Sequence, residues 1–222
     1  MNLKIASYNV RHCAEGIDAV ADVLRSLGAD VVGMQEVDRN NERSPMDQPA
    51  LLAAAADYPY YCYTPAIDYK GGEYGTLILS RYPVEAFTVT KLSSGEKEGR
   101  AVGHAVIRAG KETVDFFNTH LSFEARELRD VQYAELAAMM ASCPNAVLTG
   151  DFNTEDFSEF APLLGGKKLV NNAEHRLVTF PKYATAIDNI VLPERWRIKT
   201  AQTVTEAHSD HFLLWAEAET VF

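Results

Sequence analysis

Ser209-Asp210-His211 runs straight into the apolar stretch 212–216. A carboxylate and an imidazole at the lip of a buried strand are costly unless they find partners. Successive strand side chains point to opposite faces, so Asp210 and His211 share one site only where strand gives way to loop. Three other segments have the same form: residues 5–8 end in Asn9, residues 31–34 end in Gln35-Glu36, and residues 146–149 end in Gly150-Asp151-Phe152-Asn153. Oxygen-bearing and imidazole groups collected at strand ends are the material of a catalytic metal site. The converging donors are Asn, Glu and Asp oxygens, with no histidine or cysteine at zinc spacing. That donor set favours Mg²⁺, with Mn²⁺ as a possible substitute.

Each residue also has a plainer reading. Asp151 and Asn153 face the same way in extended chain, which suits a hard cation or a phosphoryl group, yet Gly-Asp and Asn also make ordinary turns. Glu36 and Asn9, taken singly, fit exposed strand termini; their coincidence with the other sites raises them. Asp188 stands at the start of the strand-like run 187–192. Beside His211 it would fix the imidazole tautomer and raise its pKa, or it is a strand residue held by backbone donors. His120 closes the run 114–119 and reads equally as a structural hydrogen-bonder. His12, His104, His175 and His208 have no comparable context and read as structural or solvent-exposed.

The elements that must position these groups alternate with turn clusters. Strand-like runs fall at 3–10, 30–36, 58–63, 74–80, 84–91, 101–108, 113–119, 146–149, 187–192, 198–205 and 212–217. Helical spacing of Ile17, Val20, Ala21, Leu24 and Leu27 marks a helix over 16–27, with Gly28 where it stops. A second helix is expected over 124–142, capped by Ser122 and ended by Cys143-Pro144, with shorter helices at 48–56 and 158–164. About eleven strands with few helices predict an α/β fold of two packed mixed sheets with helices outside. The polar connections 38–49, 64–73, 93–100 and 165–185 are candidate substrate-contacting loops.

The 222 residues carry a net charge of −10 and no basic run longer than Lys167-Lys168. The extended basic stripe of a duplex binder is therefore missing, although distant residues can still form a local patch. One sizeable core, and so one domain over 1–222, fits this length. No apolar stretch is long enough to span a bilayer. The chain starts directly in a strand-like run rather than a signal peptide. With three cysteines (Cys13, Cys62, Cys143) lacking redox spacing, a cytoplasmic monomer with free thiols is expected.

The motifs Ser7-Tyr8-Asn9-Val10, Gln35-Glu36-Val37, 74–81, Asn118-Thr119-His120-Leu121, Gly150-Asp151-Phe152-Asn153, Ile187-Asp188 and Ser209-Asp210-His211 occur in that order. Together they resemble the endonuclease/exonuclease/phosphatase superfamily, over nearly the whole chain. The resemblance implies a four-layer sandwich and a Mg²⁺-dependent phosphoester hydrolase using in-line attack of water on phosphorus. It implies Glu36 as principal metal ligand, with Asn9 and Asp210 close to the metal. Asp151 and Asn153 would position the water and a phosphoryl oxygen, and His211, paired with Asp188, would supply the imidazole. His120 matches a second active-site histidine, with Glu73 as its candidate partner, and Arg100 matches a phosphate-contacting arginine. Where many members carry an aromatic after the Asp188 position, this chain has Asn189, which would change the pocket wall. The substrate stays open among a small or lipid-derived phosphoester and a nucleic acid. A catalytically inactive binding module is the remaining alternative.

Overall fold

The computed structural model describes residues 2–221. Its first sheet has the strand order β11-β12-β1-β2-β4-β3 and its second β5-β6-β7-β8-β10-β9. The first contains β1 (Asn2–Asn9), β2 (Val31–Arg39), β3 (Tyr60–Tyr69), β4 (Gly72–Ser80), β11 (Arg197–Val204) and β12 (Leu213–Glu219). The second contains β5 (Val84–Leu92), β6 (Arg100–Ala109), β7 (Glu112–His120), β8 (Ala146–Asp151), β9 (Lys167–Leu169) and β10 (Asp188–Pro193). Among the described residues only β1/β2 and β7/β8 pair in parallel. A parallel pair needs a crossover, and here α1 (Ile17–Leu27) and α3 (Arg126–Met140) supply the two. The short α2 (Gln48–Ala55) lies beside α1.

Three apolar layers define four structural ones. Val20 and Leu24 of α1 and Leu52 of α2 pack on Met34 and Leu77 of the first sheet. Leu3, Ile5, Phe116, Ile190, Trp196 and Leu214 fill the space between the sheets. Tyr133 and Leu136 of α3 cover Phe117 and Leu148, joined by Phe152 and Phe160. These are the two packed mixed sheets with outer helices that the strand pattern predicts, in the four-layer sandwich that the family resemblance implies. Gly28, at φ +62°, ends α1 where expected and donates its N–H to Leu24 O.

Several local expectations are corrected. The helix expected from 124 starts at Arg126, and Ser122 does not cap it. The Ser122 N–H donates to Gln132 Oε1 at 3.0 Å and its hydroxyl accepts from Gln132 Nε2 at 2.8 Å, so both groups are already spent. The expected loop 64–73 is mostly a hairpin, because Lys70 and Gly71 both adopt positive φ and turn β3 into β4 in two residues. β2 runs on to Arg39, and Asp47 caps α2 by accepting the Ala50 N–H at 3.1 Å. The segment expected as a helix at 158–164 is a 3₁₀ stretch, Phe157–Leu163, with Pro162 inside it.

Behind the strand ends sits a buried polar staple between the sheets. Asn118 of β7 donates to the carbonyls of Met34 and Leu77 in the opposite sheet, at 2.9 and 3.1 Å. Its oxygen accepts from Gln35 Nε2 at 2.8 Å and from Thr149 Oγ1 at 3.0 Å. Every polar atom of this amide is used, so the burial is compensated and the two sheets are held in one register.

Candidate active site

The strand ends β1, β2, β7, β8 and β10 open on one cleft of about 260 Å³, lined among others by Glu36, Arg100, His120, Asp151, Asn153 and His211. Glu36 reaches it through a β-bulge. Between Met34 and Val37 the β2/β4 register slips, and Glu36 takes φ +60°. A left-handed conformation is costly for a non-glycine residue and persists only where its surroundings enforce it. Asn153 is held similarly, at φ +53°, with its N–H donating to Asp151 Oδ1 at 3.0 Å.

Asn9 brackets the two central carboxylates. Its Nδ2 donates to Glu36 Oε1 at 3.0 Å and to Asp151 Oδ2 at 2.9 Å, while its Oδ1 accepts the Arg11 N–H. Asp188, at the start of β10, is anchored by its own N–H to Thr179 Oγ1 and lies opposite Asp151 in the β8/β10 register. The His211 Nδ1–H donates to Asp188 Oδ2 at 2.8 Å, and Nε2 lies 3.7 Å from Asp151 Oδ2. Phe180 packs on the same imidazole, with ring centroids 4.7 Å apart. The pair foreseen between Asp188 and His211 is therefore formed, and its free nitrogen faces the cleft carboxylate.

The electrostatics follow from this burial. Desolvation alone would depress the His211 pKa, but Asp188 and then Asp151 outweigh it and raise it to about 10. Burial and the like charge of Asp188 push Asp151 up to about 7. Burial also raises Glu36, with the Asn9 hydrogen bond and His211 pulling partly against it. His120 is the opposite case: burial, then Arg100 and His211, keep its pKa well below the ordinary value, so the ring is neutral. It accepts from Asn153 Nδ2 at 3.0 Å through Nε2.

The raised carboxyl groups of buried Asp151 and half-buried Glu36 on the cleft wall are groups that a cation would relieve. The donors are hard oxygens, so Glu36 and Asp210 fit Mg²⁺ or Mn²⁺. Asp151, Asp188 and His211 also bring donor atoms within 4.8 Å of one another. Those three residues are buried, however, whereas Glu36 and Asp210 are half-buried and open on the cleft, which makes these two the better cradle.

A family model for the endonuclease/exonuclease/phosphatase family matches residues 6–211. The chain belongs to that family. Members of the endonuclease/exonuclease/phosphatase family are phosphoester hydrolases, typically dependent on a divalent metal. Among solved structures, the chain is similar to an endonuclease/exonuclease/phosphatase from Beutenbergia cavernae DSM 12333, with TM-score 0.86 and 20% identity over 98% of this chain and 71% of that one. A mannosyl-6-phosphatase from Bacteroides thetaiotaomicron VPI-5482 gives TM-score 0.74 at 19% identity, over 99% of this chain and 100% of that one. D. rerio TDP2 complexed with single strand DNA product gives 0.77 at 16%, over 99% of both chains. At these identities the likeness establishes the fold alone. A comparison of the sequence with curated proteins finds no match.

Within this family fold, Glu36, Asn9, Asp151, Asn153, Asp188, His211, His120, Arg100 and Asp210 all reach the cleft or its immediate supports. Glu73 does not. Its carboxylate meets the Arg39 guanidinium across the β2/β4 pair, so it is corrected from His120 partner to strand-pairing residue. Asn189 does not shape the pocket wall either; it is buried and clamps the backbone of Asn171 through both ends of its amide. Phe180 forms the wall instead, together with Phe123 and with Tyr74 from the 74–81 motif, none of which the sequence assigns a site role. Phe180 and Phe123 lie in loops whose contribution depends on tertiary placement, and Tyr74 reads as one more strand aromatic. Arg11, which pairs with Asp210 at 3.6 Å, also escaped notice.

Proposed function

We propose that the protein is a Mg²⁺-dependent hydrolase of small phosphoesters, Mn²⁺ being able to replace Mg²⁺. The observation that carries this reading is the imidazole of His211, pinned by Asp188 and presented to the same cleft as Glu36, Asp151 and Asp210. Bound between Glu36 and Asp210, a hard divalent cation would supply positive charge to the phosphoryl oxygens. His211, held as imidazolium, donates from Nε2 toward the phosphoryl group, where negative charge builds. Asp151 sits where a carboxylate can orient a water and accept its proton, and its raised pKa suits that task near neutrality. Neutral His120 holds the Asn153 amide in place. Arg100 offers a buried guanidinium to the substrate phosphate, paired with Glu98 at 2.9 Å and with its Nε free of partners. The small cleft and the acidic surface favour a compact substrate over a long polyanion. A second reading, a nucleic-acid end, draws support from Phe123 and Tyr183, which stand 62% and 66% exposed near the mouth and could stack bases. Turnover of p-nitrophenyl phosphate, bis-p-nitrophenyl phosphate and a single-stranded oligonucleotide, each with Mg²⁺ and with EDTA, tests both. No metal-dependent turnover of any of the three would overturn the assignment, and cleavage of the oligonucleotide alone would favour the second reading.

Arg100→Ala is expected to lower kcat/KM by roughly 10- to 100-fold, the loss of one charge-assisted contact worth about 1.5–3 kcal/mol. Most of that loss should appear in KM if Arg100 binds the phosphate equally in ground and transition states. Steady-state kinetics on the best of the three probes measures it.

Asp151→Asn should uncouple stability from activity. The folded pKa of Asp151 lies above its ordinary 3.8, so folding takes up a proton there. The resulting penalty is absent below the ordinary value, grows as pH rises and is complete above about 7. The amide removes the charge but keeps only one acceptor, so the Asn153 N–H can retain its bond while the Asn9 Nδ2–H bond is lost. In EDTA the variant's urea midpoint relative to wild type should be more favourable at pH 8 than at pH 4, where only the lost hydrogen bond counts. A difference that is the same at pH 8 and pH 4 would contradict it.

A further inference from the structure

At the far end of β7 from His120, three ligand-type side chains that the catalytic reading leaves unused come together. His104 of β6, Asp115 of β7 and Cys143 place one donor atom each within 4.8 Å of the others. Asp115 is five residues from His120, about 16 Å along the strand, so this cluster is separate from the cleft. The register explains the meeting. His104 pairs with Phe117 and Val106 with Asp115, so His104 and Asp115 lie diagonally on one sheet face. Asp115 is also level with Ala146 of β8, and Cys143 stands in the turn just before that strand.

Each donor is held by its neighbours. The His104 ring stacks on Phe117, with centroids 4.1 Å apart and planes 6° from parallel. That stacking aims Nε2 at Asp115 Oδ1, 2.9 Å away. Cys143 lies in a turn pinned by its N–H to Met140 O, by the Ala146 N–H to its own carbonyl, and by Asn145 Nδ2 to Thr113 O at 3.1 Å. All three residues are half-buried, open enough for a cation to enter and closed enough to weight charge interactions. The chemistry differs from that of the cleft. One imidazole, one carboxylate and one thiol form a borderline-soft N/O/S set, the kind that binds Zn²⁺ rather than Mg²⁺. Residues 104, 115 and 143 are too far apart in sequence to show zinc spacing, so only the strand register reveals them.

We propose that His104, Asp115 and Cys143 form a second cation site, for Zn²⁺, with the fourth position left to solvent. Binding breaks the His104 Nε2–H···Asp115 Oδ1 hydrogen bond, moves that ring proton to Nδ1 through solvent, replaces three zinc-bound waters with Zn–S, Zn–N and Zn–O bonds, and releases the thiol proton to water; no oxidant or reductant is involved. Burial, and then the Asp115 carboxylate, push the Cys143 thiol up, so the proton leaves only when a cation binds. The site would tie the turn between α3 and β8 to the β6/β7 pair.

Co²⁺ titration of the metal-free full chain tests this, because only a thiolate ligand produces a near-ultraviolet sulfur-to-cobalt charge-transfer band. With Mg²⁺ then added to hold the cleft, the wild type should show that band saturating at one equivalent of Co²⁺, and Cys143→Ser should abolish it. Cys13→Ser and Cys62→Ser should leave it unchanged. Dialysis against Zn²⁺ should give one bound ion fewer for His104→Ala and for Asp115→Asn than for the wild type, at a concentration that fills the wild-type site. Phosphoester turnover in Mg²⁺ should be the same in wild type and Cys143→Ser, so failure here is distinguishable from failure of the catalytic reading. Absence of the band, its survival in Cys143→Ser, or equal Zn²⁺ stoichiometry in all variants would reduce the cluster to an ordinary His–Asp pair and overturn the proposal.

Discussion

His211→Ala is expected to lower kcat by about a thousandfold, the middle of the range for losing a positioned acid–base group. The argument rests on where the imidazole is held. Its Nδ1–H is committed to Asp188 at 2.8 Å, its ring is packed by Phe180, and its Nε2 is aimed at the cleft beside Asp151. No other described side chain in the cleft can replace it. His120 is neutral and already accepts from Asn153, and Arg100 is tied to Glu98. Asp188→Asn should cost less, roughly a hundredfold, because an amide still contacts Nδ1 but no longer stabilises the imidazolium. The pH profile separates a charge role from a merely structural one. A histidine whose folded pKa is raised to about 10 stays protonated until pH rises through that value, so activity should fall only on a far alkaline limb. Removing the Asp188 charge must move that limb toward lower pH. Wild-type turnover in His211→Ala, or an unmoved alkaline limb in Asp188→Asn, would remove His211 from the mechanism.

The sequence made the chemistry legible wherever a polar residue interrupts an apolar run at a strand end. Asn9, Glu36, Asp151, Asp188 and His211 all met that condition, and all reach one cleft or its supports. The alternation of strands and the two crossover helices were readable because burial imposes period two on strands and 3.6 on helices. What failed was local geometry set by tertiary competition. Ser122 has the chemistry of a cap, yet Gln132 takes both its hydroxyl and its N–H. Glu73 was legible as a carboxylate but not as the cross-strand partner of Arg39, because that pairing depends on a hairpin read as a loop. Asn189 was legible only as a departure. Its amide is spent on Asn171, a contact made by a loop that no periodicity announces. The staple was half visible: Gln35 and Asn118 stand in apolar surroundings in the sequence, but only the sheet packing shows that they find each other.

That staple supports the second large expectation, that Gly33→Ala will destabilise the fold by about 3 kcal/mol or more. Gly33 faces the second sheet at the place where Asn118 and Thr149 cross over. A methyl group there would overlap Thr149 Oγ1 and Asn118 Oδ1 and come within 2.8 Å of Asn118 Cγ. Neither neighbour can swing away cheaply. Thr149 is branched at Cβ, and Asn118 is fixed by four hydrogen bonds, to Met34, Leu77, Gln35 and Thr149. Overpacking a close-packed interior typically costs about 1–3 kcal/mol, and pushing the amide aside leaves buried polar groups unpaired at about 1–3 kcal/mol more. Chemical denaturation of the variant at neutral pH reads the sum. The double variant Gly33→Ala with Thr149→Ala removes one of the two clashes and should recover part of the loss, with a coupling energy of about 1 kcal/mol. Because β2 carries Glu36 three residues beyond Gly33, the surviving folded fraction of the single variant should also bind the catalytic cation more weakly. A midpoint equal to wild type would mean that the sheets separate easily here, and that the bulge presenting Glu36 is held by something other than this staple.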